Sequence, residues 1–290
     1  MPEIFQKRGK GYFESEAEGL RLMSLANESG CGEGEEGLLK IPKVYFAKDN
    51  VGLDIEKLKD LHSASINNKH HLVRLARGLC HIHNWIDPNR RATTAHTTFG
   101  FHLKGQCGAL AHPNNEQGIQ MSWIDFFRDF RLDYQLGLVK TEYPHQTNII
   151  ELGAKLSKHL NELFDGHGLR QDEIRPSLLH GDLWSGNWGV SQGKVCVFDP
   201  APFYGHFEFE FGIGTMFGGP VCKTFLDAYF DDNNNNNGGE AMYPPGFDDR
   251  LKLYALYHHL NHLNIFGESY AGGTQGLLQQ LTSKKVLGVL

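Results

Sequence analysis

The stretch Leu178-Leu179-His180-Gly181-Asp182-Leu183-Trp184-Ser185-Gly186-Asn187-Trp188 decides how this chain is read. Asp182 and Asn187 stand five positions apart in one short loop. That is the spacing of a phosphotransfer catalytic loop, H-x-D-x-x-x-x-N, in which one loop presents a base and a metal-binding amide to the same phosphate. Taken singly, Asp, Asn and Gly here are ordinary turn chemistry, because their side chains and backbone freedom suit loops. Taken together, in order and in register, they point to phosphoryl transfer.

Working outward, the turn Ser191-Gln192-Gly193-Lys194 leads into the apolar run Val195-Cys196-Val197-Phe198, which ends on Asp199. A β-rich run that delivers one carboxylate at its end suits a second metal ligand, as the Asp of D-F-G does in protein kinases. Asp182 is therefore the candidate base, with Asn187 and Asp199 as candidate ligands of Mg²⁺ bridging the phosphates of ATP. Mg²⁺ takes oxygen donors and keeps several waters, so two side chains plus phosphate suffice. Trp184, two positions past the base, is placed to stack on a sugar acceptor or else to serve the core. His180 and Gly181 are read as shaping the loop.

HGDLWSGNW, then VFDPAPFYGHFEFEFGI (Val197 to Ile213), MFGG (Met216 to Gly219) and LYALYHHLNHLNIFGESY (Leu253 to Tyr270), resemble the fructosamine kinase (ketosamine 3-kinase) family. That family shares its fold with aminoglycoside phosphotransferases. The resemblance covers roughly residues 4 to 275 and implies an α+β, protein-kinase-like two-lobe fold. It implies an acceptor that is a ketosamine, a fructosamine or ribulosamine adduct on a protein lysine or a free amine, phosphorylated on its 3-hydroxyl as a step of protein deglycation. It also implies that Lys7 binds nucleotide phosphate with Glu16 as its ion-pair partner, Glu14 and Glu18 being close rivals. The acceptor would be met by His102 in the segment Phe99-Gly100-Phe101-His102, by Tyr204 and His206, and by His258 and His262. Two other readings stay open: a catalytically impaired pseudokinase or truncated gene product, and a small-molecule kinase of the aminoglycoside or choline type.

The N-terminal part departs from the resemblance. The strand Ile4-Phe5-Gln6-Lys7 comes so early that no glycine-rich turn precedes it. The residues Phe46 to Gly52 look too few and too polar for the hairpin strand that leads to an adenine hinge. The expectation is a truncated β-rich nucleotide lobe over residues 1–50, a mainly helical lobe with catalytic loop and acceptor pocket over 51–290, and weak ATP binding. Cys31 to Gly37 reads as a mobile Gly/Glu-rich insertion, and Asp231 to Gly239 as a disordered tract. From Leu53 the pattern turns helical, with Ile55, Leu58 and Leu61 on one face. Leu72, Leu75, Leu79 and Ile82 predict an amphipathic helix ending near His83. Trp123, Phe126, Phe127, Phe130 and Tyr134 form a helical stripe of core type, as do Ile149, Leu152, Leu156, Leu160 and Leu163.

Composition narrows the remaining classes. A net charge of −6 leaves no basic footprint for nucleic acid. The five cysteines are scattered, with neither a disulfide framework nor a zinc pattern, so a reducing setting is expected, the cytoplasm first and an organelle as the alternative. No run of about 18 apolar residues exists to span a membrane. The opening MPEIFQKRGKGYF lacks the apolar centre of a secretory signal.

Overall fold

The computed structural model describes residues 3–29, 37–91, 97–217, 219–234, 243–283 and 286. Three strands begin the architecture: β1 (Ile4–Arg8), β2 (Val44–Lys48) and β3 (Gly52–Glu56), with helix α1 (Phe13–Glu28) packed on them. The sheet order is β1-β3-β2, antiparallel throughout. Phe46 to Gly52 therefore do build a hairpin, against expectation. The alternation explains it: Leu53 and Ile55 are buried, while Asp54 and Glu56 point the other way to Arg8 and Lys40. The same residues overturn the helical reading from Leu53. Its spacing of three was shared by a strand too short to show its own period. Beyond Glu56, residues 57–61 lead to β4 (His62–Ser63), which joins a different sheet, so this segment connects the two sheets.

Helix α2 (Lys69–Asn84) starts at Asn68, whose side chain accepts from the His71 N–H at 3.2 Å, and buries Leu72, Leu75, Leu79 and Ile82. A short turn α3 (Pro88–Arg91) and the hairpin β5 (Gly105–Cys107) and β6 (Leu110–His112) follow. Then come α4 (Trp123–Phe127), a π-turn over Arg128–Leu132, α5 (Asp133–Glu142) and α6 (Thr147–Lys158). Trp123, Phe126 and Phe127 are fully buried, as the stripe requires.

Two further sheets hold the polar loop. Strand β7 (Ser177–Leu179) pairs with β10 (Phe203–Gly205), and β8 (Trp188–Ser191) pairs with β9 (Lys194–Val197) and β4. Gln192 and Gly193, both at positive φ (51° and 76°), make the two-residue turn whose twist suits a hairpin. Helices α7 (Glu210–Gly214), α8 (Lys223–Asn234), α9 (Phe247–Phe266) and α10 (Ala271–Leu281) complete the larger lobe. Asp231 to Asn234 thus continue a helix and are not loop, while residues 235 to 239 lie outside the described residues, as do 31 to 36. Within the core Arg250 donates to both carboxylate oxygens of Glu208 at 2.7 and 2.8 Å, both side chains being inaccessible to solvent. Among the described residues no helix is long and apolar enough to cross a membrane.

Candidate active site

The loop between β7 and β8 is fixed from both sides by its neighbours. The Ala201 N–H donates to the His180 carbonyl at 2.9 Å, so the loop is stitched to the segment that follows Asp199. Gly181 has φ +80°, and a Cβ there would lie 2.1 Å from the Ala201 carbonyl oxygen. Only glycine meets both demands. Gly181→Ala is expected to cost at least about 1–3 kcal/mol, the scale of a residue held in a sparsely populated backbone region. At roughly 2–4 °C per kcal/mol for a domain of this size class, a thermal melt should show a clear fall. An unchanged melting temperature would mean that the loop has another packing.

His180 is buried, and burial pushes its imidazole below the ordinary value. A neutral ring has one donor and one acceptor nitrogen. Nε2 faces the Phe198 carbonyl at 2.9 Å and must donate, while Nδ1 accepts from the Asp182 N–H at 3.4 Å. One tautomer satisfies both contacts, so His180 braces the backbone on either side of the cleft floor.

The carboxyl of Asp182 is raised to about 7, first by burial and then by the negative charges of Glu210 and Asp199, against the lowering effect of Asn187. A carboxyl near neutrality is what a general base at ordinary pH calls for. Asn187 Nδ2 donates to the Asp182 carbonyl at 2.8 Å and its carboxylate at 3.1 Å, and reaches the Asp199 carbonyl at 3.4 Å. Among the described residues the side-chain hydrogen bonds of Asn187 all come from Nδ2, which leaves its amide oxygen available to a cation. Asp199 sits at φ +58°, directly after the apolar run, and its side chain is 41% exposed.

Lys7 reaches this floor from β1. Its Nζ lies 2.6 Å from Glu16 Oε1 and 2.8 Å from Asp199 Oδ1. Burial would push the Lys7 ammonium down, but the Glu16 and Asp199 carboxylates outweigh it and hold the group above its ordinary value. Of the two rivals of Glu16, Glu14 is exposed and Glu18 lies 3.7 Å from Arg21. The five residues Lys7, Glu16, Asp182, Asn187 and Asp199 line one cleft of about 510 Å³. A hard cation between Asn187 and Asp199 would meet one carboxylate and one amide oxygen, a donor set that fits Mg²⁺.

The residues expected on the acceptor side divide. Trp184, 37% exposed, and His262 line the same cleft as Asp182. Tyr204 and His206 do not; both are buried, with His206 Nδ1 2.8 Å from Tyr254 Oη and its ring against Trp123. His102 is exposed, with its ring 4.7 Å from that of Phe101, and is not part of the cleft lining. His258 is wholly buried behind the cleft wall.

Two features escaped the reading of the sequence. Glu210, wholly buried, accepts from the backbone N–H groups of His180 at 2.6 Å and Gly181 at 3.0 Å. The signal was a pair of acidic residues, Glu208 and Glu210, alternating with Phe207, Phe209 and Phe211. The second is an aromatic rim: His262 stacks near Phe217, Phe266 and Tyr270, with centroid distances of 4.9, 5.4 and 5.1 Å, and all four line the cleft.

A family model described as fructosamine kinase matches residues 4–284. Ketosamine-3-kinase of Mus musculus is 36% identical over 184 residues, which are 63% of this chain and 54% of that protein. The chain spans about half the length of the curated relatives it matches first. A Thermobifida fusca protein assigned as a fructosamine-3-kinase has a TM-score of 0.70 at 22% identity, over 96% of this chain and 85% of that one. A choline/ethanolamine kinase family protein from Mesorhizobium loti has a TM-score of 0.56 at 12% identity, over 99% of this chain and 86% of that one. At these identities the likeness is one of fold, and the fold is of the expected protein-kinase-like α+β class.

Proposed function

The chain belongs to the fructosamine kinase family, and from that premise we propose that it transfers the γ-phosphoryl group of ATP to the 3-hydroxyl of a ketosamine. The observation that carries this reading is the convergence of Lys7, Glu16, Asp182, Asn187 and Asp199 on one cleft from four separate segments of the chain. Phosphoryl transfer needs positioning and neutralisation of charge more than covalent chemistry. In this reading Asp182 takes the acceptor hydroxyl proton as the oxygen bonds to phosphorus and ADP departs. Lys7, oriented by Glu16, meets phosphate oxygens. Asn187 and Asp199 would hold Mg²⁺, which when bound would neutralise phosphate charge. The division of labour we propose places the nucleotide side on residues 1–50 with the strand that ends at Glu56, and the acceptor side on the remainder.

The acceptor enters between Trp184 and the rim of Phe217, His262, Phe266 and Tyr270. Planar apolar faces suit a sugar ring, and aromatic faces attract the cationic amine that a ketosamine carries. The acceptors are ketosamine-bearing proteins or small glycated amines. The working compartment is the cytoplasm, where the thiols of Cys80, Cys107, Cys196 and Cys222 stay reduced. Phosphorus NMR of a reaction holding ATP, Mg²⁺ and a synthetic ribulosamine or fructosamine should show a sugar 3-phosphate. Phosphorylation of choline or an aminoglycoside in preference to either ketosamine would overturn the reading.

Asp199→Ala separates the two sides. The variant loses one proposed cation ligand and one partner of Lys7, yet touches nothing on the aromatic rim. Calorimetry should show binding of Mg·ATP weakened by at least about tenfold, about 1.4 kcal/mol, with ketosamine binding unchanged. Equal loss of both ligands would assign Asp199 to the fold.

A further inference from the structure

Behind the candidate base lie two side chains that the transfer reaction does not use, Cys107 and His258, and with Asp182 they form a cluster. Cys107 ends β5, Asp182 sits in the loop after β7, and His258 projects from α9. One donor atom from each lies within 4.8 Å of the other two. Cys107 and His258 are 3% and 0% exposed. Among the described residues, neither ring nitrogen of His258 has a hydrogen-bond partner. A buried imidazole with both nitrogens unmet is costly, since each lost its bond to water. Asn261, on the same helix, ties Cys107 in place by donating to its carbonyl at 3.3 Å.

We propose that Cys107, Asp182 and His258 form a site for a thiophilic divalent cation, Zn²⁺ foremost, and that its occupation shuts off the candidate base. One thiolate, one carboxylate and one imidazole are the donor types Zn²⁺ takes. Three protein ligands with a fourth position left open is a common arrangement for it. Bond lengths of about 2.0–2.3 Å imply donors roughly 3.5 Å apart, so the group must draw in by about 1 Å from its present spread. Cys107 and Asp182 both line the cleft, which gives the ion a way in. Mg²⁺ is a poor competitor here, because it prefers oxygen ligands in octahedral array. The site thus selects by softness, while Asn187 and Asp199 offer a hard cation only oxygen. The five cysteines showed no zinc spacing along the chain because the three ligands come from distant segments.

The binding claim rests on geometry alone; its consequence for turnover rests on the proposed function. The probe is Co²⁺, which reports a thiolate ligand by an intense near-ultraviolet charge-transfer band. The full chain is used with Cys31 and the exposed Cys222 replaced by Ser, which removes the competing accessible thiol. One equivalent of Co²⁺ should produce the band, and Zn²⁺ should abolish it. Cys107→Ser should lose the band, and His258→Gln should weaken metal binding by more than about 100-fold, beyond the usual cost of losing a mere supporting residue. Absence of the band at equimolar Co²⁺, or a band that survives in Cys107→Ser, overturns the site. Should either variant fail to fold, the titration of the protein with Cys107 and His258 in place decides alone. A protein that binds Co²⁺ through Cys107 yet phosphorylates no ketosamine would count against the proposed function and leave the metal site standing.

Discussion

Asp182→Asn is expected to lower turnover by about 10²- to 10⁴-fold, the span attributed to a positioned general base, while the fold stays intact. The substitution keeps the shape of the side chain and removes its basicity. Stability should be no lower than that of the unaltered chain, and the sign follows from the direction of the shift. A carboxyl raised to about 7 in the folded state, from an unfolded value of about 3.9, binds its proton more tightly when folded. The folded chain is therefore penalised as pH rises from about 4 to 7, and the penalty persists above that. Asn carries no such charge, so the variant should gain relative stability over this window and hold the gain at higher pH. Activity and melting temperature should thus move in opposite directions. Near-native kcat in the variant would remove Asp182 from the base position. A lowered melting temperature at neutral pH would show that its carboxylate serves the fold instead.

How much of this site could be read from the chain depends on whether a signal was local. Asp182, Asn187 and Asp199 lie within 18 positions and carry their spacing with them. Lys7 and Glu16 were reached through the resemblance; the structure sets them 2.6 Å apart and brings Lys7 to Asp199 across 192 positions of chain. The fold class was legible because helical stripes such as Leu72 to Ile82 and the hairpin around Gln192-Gly193 are also local. The strand Gly52–Glu56 was not, since two buried residues, Leu53 and Ile55, make too short a period to outweigh Leu58 and Leu61 spaced after them. Tyr204 and His206 stand in a dense run of polar and aromatic residues that resembles a binding surface. The structure turns them inward, where Tyr254 and Trp123 meet the ring of His206. Density of functional-looking side chains along a chain does not distinguish a pocket wall from an aromatic core. Glu210 stands in the same dense run, and its own role was not legible because its partners are backbone N–H groups that no side-chain pattern reveals.

Glu210→Ala is expected to be the most destabilising change near the cleft. Its carboxylate takes the N–H groups of His180 and Gly181, and His83 Nε2 stands 3.3 Å away. Removing it strands two buried donors at about 1–3 kcal/mol each, so a loss on the order of 2–6 kcal/mol should appear in denaturant unfolding. Turnover should fall as well, because Asp182 follows these two residues directly, and a displacement of about 1 Å can cost roughly 10²-fold. Glu210→Gln tests whether charge or shape matters. Burial alone would raise the Glu210 carboxyl, but the hydrogen bonds from His83 and from the His180 backbone N–H outweigh it and hold it below the ordinary value. A depressed carboxyl stabilises the fold above its unfolded value of about 4.3, and that contribution is lost as pH falls through the folded value. The stability gap between the unaltered chain and Glu210→Gln should therefore be constant from neutral pH down to about pH 5 and shrink below about pH 4. Equilibrium unfolding of both proteins across that range makes the comparison. A gap that stays the same down to the acid limit of folding would mean that the charge of Glu210 has no part in holding the loop.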